Sequence, residues 1–278
     1  MINFRTLLIL IILLHKPEVN AQDRNDFKAG LINIGLGGIV GGLGAMVNKK
    51  PNEKTGKVFL RGFGQGALGG YFIFESKRLV GKFSKTGEYG YIWPSKIINS
   101  AGTSIIENAV ANRNFWDRWH LNIGFNRVEI YTKDRFKVSY RVMPFALGST
   151  IYGFTQGKLS FSESIKTGTF IFRVNKNMGL EGLTLSNIIL LSNNKSFFTK
   201  EVITAHELIH NYQYESFSGL NSFLNKPIKN LNLNKKWSKK YHSIFYNDFN
   251  FITNGFGYIL SKGNNNLFER EAQFYTEK

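Results

Sequence analysis

The N-terminal third of the 278-residue chain is apolar and rich in glycine. Residues 29–47 carry no charged side chain, and residues 59–74 are similarly rich in glycine and apolar residues. Both segments predict helices. Their glycines recur at intervals of four, which places them on one stripe of each helix and lets two backbones approach closely: Gly37 and Gly41, Gly38 and Gly42, then Gly62, Gly66 and Gly70.

This helical hairpin has two interpretations. The first segment is about as long as a membrane span requires, so the pair could insert in, or lie on, a bilayer. Alternatively, the two helices pack tightly within a soluble domain. The polar turn 48–57 suits either arrangement, but Arg61 and Gln65 interrupt the second segment and favour the soluble pair.

The middle of the chain changes from a helical to an alternating pattern. Residues 95–112 have helical spacing of apolar positions, and residues 119–174 predict an antiparallel β meander. Its predicted strands are residues 119–132, 135–142, 157–164 and 168–175, with a hairpin turn at 132–134 and a connection at 165–168. Leu183–Ser192 predicts one further strand. The pattern as a whole indicates an α+β fold.

The first 21 residues are typical of a secretory signal. Arg5 is followed by an unbroken apolar run from Leu7 to Leu14, and Ala21 ends a small-residue cleavage site. The mature chain is therefore predicted to begin at Gln22 and to act outside the cytoplasm of a bacterium, in the periplasm, on the outer membrane surface or extracellularly. Beyond this signal peptide we predict a glycine-rich helical region at 22–115 and a meander with a C-terminal α+β part at 116–278.

The amino-acid composition limits the chemical groups and the partners that the protein can use. The chain has no cysteine, which excludes disulfides and thiolate chemistry. Its formal net charge is +17, which favours contact with an anionic membrane surface. No nucleic-acid-binding motif accompanies this charge, so no nucleic-acid partner is expected.

Residues 204–215, TAHELIHNYQYE, contain the pattern H-E-x-x-H. On a helix capped by Thr199, His206 and His210 lie one turn apart on the same face and can share one zinc ion. Glu207 is rotated by about 100° from His206 and suits the role of general base. The alternative is a pair of buried histidines satisfied by other partners.

The third ligand is predicted on the helix formed by residues 265–278. Glu271 falls among Leu267, Phe268, Phe274 and Tyr275 on its wheel, whereas Glu269 points to solvent. A lone carboxylate in an apolar stripe is costly unless it is paired, and a zinc ion held by the two histidines would pair it. A lysine, an arginine or a tyrosine hydroxyl could instead do so.

These two motifs, HELIHNYQ and EREAQFY, resemble the gluzincin-type zinc metallopeptidases over about residues 183–278. The positions that would carry the glycine and the histidine of the metzincin motif hold Gln213 and Ser216, which excludes that related class. The resemblance implies zinc bound by His206, His210 and Glu271, with Glu207 as base. It also implies a C-terminal zincin-like fold whose strand 183–191 lines the cleft and pairs with an extended peptide.

The resulting hypothesis is a zinc-dependent hydrolase of the envelope, most simply a metallopeptidase acting on a peptide or protein. A metal-activated water molecule would attack an amide, with Glu207 as general base. The alternative is a non-catalytic envelope or membrane-associated protein with a zincin-like fold. The oxyanion donor stays open among four side chains: Tyr212, Tyr214, Tyr275 and His242.

Overall fold

A computed structural model describes residues 24–175, 178–194, 196–223, 235–252, 255 and 266–276. The predicted signal segment 1–21 lies outside these residues. The described chain is α+β, as predicted: a long helical hairpin and a third helix are followed by an antiparallel meander, a second small sheet and C-terminal helices.

The hairpin consists of helices α1 (Arg24–Val47) and α2 (Thr55–Thr86). Their glycine stripes face each other, as predicted: a Cβ atom built on Gly66 would lie 2.1 Å from the carbonyl oxygen of Gly37. Equally short approaches, of 2.5 Å and 2.2 Å, would arise at two further positions along the stripe: Gly41 against Gly62, and Gly70 against Asn33. Larger residues at these sites would push the helices apart.

The outer side of α1 remains apolar. Large side chains at alternating spacings of four and three form an exposed row: Ile32, Leu36, Ile39, Leu43 and Met46. By length and composition, the 22 residues Asp26–Val47 could cross a membrane, although 39% of their most apolar window is buried inside the protein. The hairpin thus packs on the domain with one face and presents apolar surface with the other.

Helix α3 (Ile92–Val110) precedes the meander, as predicted. The meander has the strand order β1-β2-β3 and is antiparallel throughout: β1 (Arg118–Ile123), β2 (Asn126–Tyr131) and β3 (Lys137–Val142). The prediction of one strand across residues 119–132 is wrong. The chain reverses at Gly124, whose left-handed φ of 56° a larger residue would resist.

The polar face of this meander is the buried one. Arg127 and Glu129 are 0% exposed, whereas Phe136 and Val138 are 67% and 55% exposed. The buried face is stabilised by ion pairs: the Arg127 guanidinium contacts Glu129 at 2.8 Å and Glu107 of α3 at 2.7 Å. The alternation therefore places charged groups inside because they have charged partners there.

The second sheet is mixed and has the order β4-β5-β7-β6. Strands β5 and β7 are parallel, and the other neighbours are antiparallel. Its elements, with the two helices among them, are α4 (Pro144–Gln156), β4 (Lys158–Leu159), α5 (Phe161–Thr167), β5 (Phe170–Val174), β6 (Gly182–Leu185) and β7 (Ile188–Ser192).

Three predictions for this region are corrected. The meander ends at β3 and does not extend to Val174, because helix α4 intervenes. The strand predicted at 157–164 is only the two-residue β4, and the chain continues from Phe161 as helix α5. The single strand predicted at 183–192 is the hairpin β6–β7, which turns where Ser186 adopts a left-handed φ of 57°.

The C-terminal part of the described fold includes three further helices: α6 (Lys200–Ser216), α7 (Lys235–Ile244) and α8 (Leu267–Thr276). Helices α2, α6 and α8 meet in one apolar core, to which Phe83, Leu208, Tyr212 and Ala272 contribute at 0% exposure. This core brings the two motif-bearing helices together, although fifty residues separate them in sequence.

Candidate metal centre

Helix α6 positions both histidines of the H-E-x-x-H pattern. It begins after Thr199, whose hydroxyl accepts a hydrogen bond from the Val202 backbone N–H at 3.4 Å, as the sequence predicts for a cap. His206 and His210 follow on one face of the helix, and their ring centres are 4.7 Å apart. The local sequence therefore fixes a pair of neighbouring imidazoles before any tertiary contact is made.

Three ligand-type atoms converge at this pair. His206 Nε2 lies 3.0 Å from His210 Nε2. The Glu269 Oε2 atom of α8 lies 3.2 Å from the His206 nitrogen and 3.4 Å from the His210 nitrogen. The three atoms thus form a nearly equilateral triangle.

This triangle has the dimensions of a zinc site. With zinc–ligand bonds of about 2.0–2.1 Å, two ligand atoms of a tetrahedron are separated by roughly 3.3 Å. Two imidazole nitrogens and one carboxylate oxygen are also a ligand set that zinc accepts in hydrolases, with the fourth position left for water or substrate. Both the spacing and the chemistry of these residues fit the ion.

The carboxylate in this group belongs to Glu269, which the sequence analysis assigned to solvent. Glu271, the predicted third ligand, is not part of the group. Its Oε1 atom accepts hydrogen bonds from Lys77 at 2.7 Å and Asn33 at 3.0 Å, and its Oε2 atom accepts one from Gln213 at 2.9 Å. The alternative pairing with a lysine is the arrangement in the structure, and Glu269 takes the place proposed for Glu271.

The orientation of the apolar face of α8 explains why Glu269, and not Glu271, lies beside the two histidines. The helical wheel that predicted burial of Glu271 placed Leu267 on the buried face, but Leu267 is 71% exposed. Tyr275 is buried as predicted, at 5% exposure, but the core also takes in Ala272, at 0% exposure, which lies on the other side of Tyr275 from Leu267. The helix is therefore rotated relative to the predicted orientation, which turns Glu269 towards the histidines.

The electrostatics of the centre favour a cation. Hydrogen bonds from His206 and His210 hold the pKa of Glu269 well below its usual range. Burial lowers the pKa of His210, but the hydrogen bond with Glu269 and the charge of Glu207 outweigh it, so the pKa lies above the usual 6.5. Two nearby carboxylates, those of Glu269 and Glu207, therefore favour the protonated form of His210.

Glu207 is held beside the centre without joining the triangle. It is 5% exposed, and its Oε2 atom accepts a hydrogen bond from the Thr184 hydroxyl of β6 at 2.6 Å. A Cβ atom on Gly182 would lie 2.6 Å from the Glu207 Oε1 atom, so glycine leaves room for the carboxylate. Strand β6 thereby fixes the orientation of the only glutamate between the two histidines.

The three group members remain within reach of solvent. Their side chains are 21%, 17% and 27% exposed for His206, His210 and Glu269, respectively. A metal ion or a small substrate group can therefore approach the triangle, while the adjacent Glu207 stays largely shielded from water.

The four predicted oxyanion donors lie in different surroundings. The Tyr212 hydroxyl accepts a hydrogen bond from Ser95 at 3.0 Å, and the Tyr214 hydroxyl donates to Asp248 at 3.5 Å. Tyr275 is buried at 5% exposure, and the His242 ring packs edge-on against Tyr241. The two bonded tyrosines are engaged in the core and are poorly placed to serve the centre.

Gln213 also contacts the centre, although its identity was used above only to exclude the metzincin class. Its Oε1 atom lies 2.8 Å from His210 Nδ1, and its nitrogen is bonded to Glu271. Its position three residues after His210, on the same helical face, is the signal that could have identified it.

Comparisons of this chain with models of protein families, with curated proteins and with solved structures found no match.

Proposed function

We propose that the protein is a zinc-dependent hydrolase, and specifically a metallopeptidase of the bacterial envelope, exported by the signal-like segment 1–21. The triangle of His206, His210 and Glu269, with zinc-like spacing, is the observation that carries the proposal. Glu207 adds a buried acid on the same helix, in the position that a general base needs.

The chain's own groups would divide the work as follows. His206, His210 and Glu269 hold the ion. A bound zinc ion supplies a Lewis acid that acidifies water and polarises a carbonyl group. Glu207 takes a proton from the attacking water and passes it to the leaving amine, and Thr184 keeps its carboxylate in position.

Strand β6 supports a peptide as the substrate. It is the edge strand of the second sheet, and its Thr184 contacts Glu207 directly. An extended peptide can add to such an edge through backbone hydrogen bonds, with alternate side chains directed towards the protein. A peptide bound along β6 would lie beside the proposed base.

Metal analysis tests the centre. The purified protein is expected to bind about one zinc ion per chain. A His206→Ala variant is expected to lose this ion because two ligand atoms cannot hold it as tightly as three, and Glu269→Gln should weaken binding because a neutral amide replaces an anionic ligand. Isothermal titration with zinc measures both effects.

His242→Ala is the matched control for this experiment. It removes a histidine from helix α7, outside the triangle, and should leave zinc affinity unchanged. Wild-type protein that takes up no zinc, or a Glu269→Gln variant that binds zinc as tightly as wild type, would contradict the assignment.

A second candidate function rests on the apolar outer face of α1. We propose, as the alternative, a membrane-associated envelope protein that docks this face on an anionic bilayer. The exposed row of large side chains supplies the apolar contact. Exposed lysines near the two ends of the helix, Lys28 and Lys50, together with Lys54 and Lys57 of the hairpin, suit anionic headgroups.

Vesicle sedimentation tests this alternative. The protein is expected to pellet with vesicles containing phosphatidylglycerol and to bind more weakly to vesicles of phosphatidylcholine alone. Changing Leu36, Ile39 and Leu43 together to asparagine should abolish pelleting, because it removes the centre of the apolar row. A matched change of Phe136 and Val138, which are exposed on the meander, should have no effect. Protein that stays in the supernatant with both lipid mixtures would refute membrane docking.

A further inference from the structure

Glu271 links the candidate metal centre to the N-terminal hairpin. Its Oε1 atom accepts from Lys77 of α2 and from Asn33 of α1. Asn33 also accepts from the Lys77 ammonium group at 3.0 Å, which closes a small hydrogen-bonded ring. The Lys77 side chain is 3% exposed, so this anchor is built into the core.

The other oxygen of Glu271 fixes the orientation of Gln213. A carboxylate and a backbone carbonyl can only accept hydrogen bonds. The Gln213 nitrogen is bonded to both kinds of acceptor, the Glu271 Oε2 atom and the Phe268 carbonyl, each at 2.9 Å. The amide oxygen of Gln213 must therefore face the opposite way, towards His210.

This orientation determines which nitrogen of His210 carries a proton. The Gln213 Oε1 atom lies 2.8 Å from His210 Nδ1 and can only accept, so Nδ1 must donate. In the neutral ring, the lone pair is then left on Nε2. This is the nitrogen that faces His206 and Glu269.

We propose that Gln213 and Glu271, anchored by Lys77 and Asn33, are positioning residues that hold His210 in the tautomer that can bind metal. The inference rests on the proposed function and deepens it: Gln213 contacts His210 directly, and Glu271, the residue predicted as the third ligand, acts one contact further away through Gln213. It also gives the glycine-packed hairpin a part in the site, because the anchor is supplied by both of its helices.

The hydrogen bonds that run from Glu271 through Gln213 to His210 form a relay. A Glu271→Gln variant tests this relay because it should reverse the orientation of the Gln213 amide. Lys77 can only donate, so the new amide would keep its oxygen towards Lys77 and present its nitrogen to Gln213. Gln213 would then rotate and present its own nitrogen to His210 Nδ1, moving the ring proton to Nε2 and giving up its bond to the Phe268 carbonyl. We expect zinc affinity to fall about 10–100-fold, as for other changes behind a ligand.

Nitrogen NMR of His210 in the metal-free protein reads the tautomer directly. The wild type is expected to show a protonated Nδ1 above the histidine pKa, and Glu271→Gln a protonated Nε2. This measurement does not depend on metal uptake. If the wild type binds no zinc but shows these tautomers, the proposed function fails and the relay stands; if zinc binds and the tautomer is unchanged in the variant, the relay alone is overturned.

Glu215→Gln is the matched control. Glu215 lies on the same helix as the histidines and is bonded to a buried lysine and an asparagine, Lys96 at 3.3 Å and Asn99 at 2.7 Å. It thus repeats the Lys–Glu–Asn arrangement without a contact to Gln213 or a histidine. We expect it to leave both zinc affinity and the His210 tautomer unchanged. An equal loss of affinity in this control would show a general packing effect and overturn the relay.

Exchanging the two side chains provides a rescue. In the double variant Gln213→Glu with Glu271→Gln, the carboxylate introduced at position 213 can accept from both the amide introduced at position 271 and the His210 Nδ1–H group. Zinc affinity should therefore recover above that of Glu271→Gln alone. Should Glu271→Gln not fold, Gln213→Met removes the acceptor at Nδ1, together with the amide's bonds to Glu271 and the Phe268 carbonyl, and is expected to weaken zinc binding and to mix the tautomers. An unaltered tautomer in Gln213→Met would also overturn the proposal.

Discussion

A Glu207→Gln variant is expected to hydrolyse peptide about 10²–10⁴-fold more slowly than wild type while still binding one zinc ion. Glutamine cannot take up the proton that the proposed mechanism assigns to this carboxylate. It can nevertheless accept the Thr184 hydrogen bond and fill the same space beside Gly182. Since Glu207 is not among the three clustered atoms, no ligand is removed.

Turnover of a peptide library, measured beside zinc content, separates the possible roles of Glu207. Glu201→Gln, which changes a glutamate in the first turn of the same helix, is the control and should match wild type in both measurements. Normal turnover in Glu207→Gln would remove the carboxylate from the mechanism. Loss of zinc from the variant would instead assign Glu207 to metal binding.

The histidine pair could be predicted because it depends on local structure alone. The Thr199 cap and the helical repeat place His206 and His210 on one face irrespective of the rest of the fold. The glycine stripes were predictable for a similar reason, since four-residue spacing on each helix leaves little choice about which faces meet.

The third member of the triangle depended on tertiary packing and was missed. Glu269 and Glu271 are two residues apart, so a modest rotation of α8 decides which of them faces α6. That rotation is set by the contacts of Ala272 and Tyr275 with the core, and by Lys77, which lies 194 residues from Glu271. No local pattern identifies so distant a partner.

The buried face of the meander was also impossible to predict from local sequence, because it too depends on tertiary contacts. Alternation identified the extended segments of the meander, although not the turn at Gly124, and it could not tell which face is buried. A charged face can enter the core when its partners come with it. Those partners lie on other elements. Glu107 is on α3, and Tyr246 follows α7, with its ring centre 3.7 Å from the Arg127 guanidinium carbon.

An Arg127→Leu variant is expected to lose about 3–5 kcal/mol of unfolding free energy. Arg127 is 0% exposed and bridges the carboxylates of Glu107 and Glu129, at 2.7 Å and 2.8 Å. Burial alone would raise the pKa of Glu107, but the charges of Arg127, His120 and Arg118 hold it well below 4.5. Removing the central cation leaves two buried carboxylates, and the remaining arginines compensate them only in part.

Urea unfolding of Arg127→Leu, Arg127→Lys and Arg135→Leu distinguishes the ion network from loss of charge in general. Arg135 is exposed in the turn before β3, so its replacement should change stability by no more than about 0.5 kcal/mol. Lysine at this buried position keeps the charge but cannot bond both carboxylates through a planar fork, so an intermediate loss is expected. Wild-type stability in Arg127→Leu would mean that the two carboxylates are neutral or hydrated in the folded protein. It would also remove the reason why the charged face of the meander, rather than its apolar face, packs against α3.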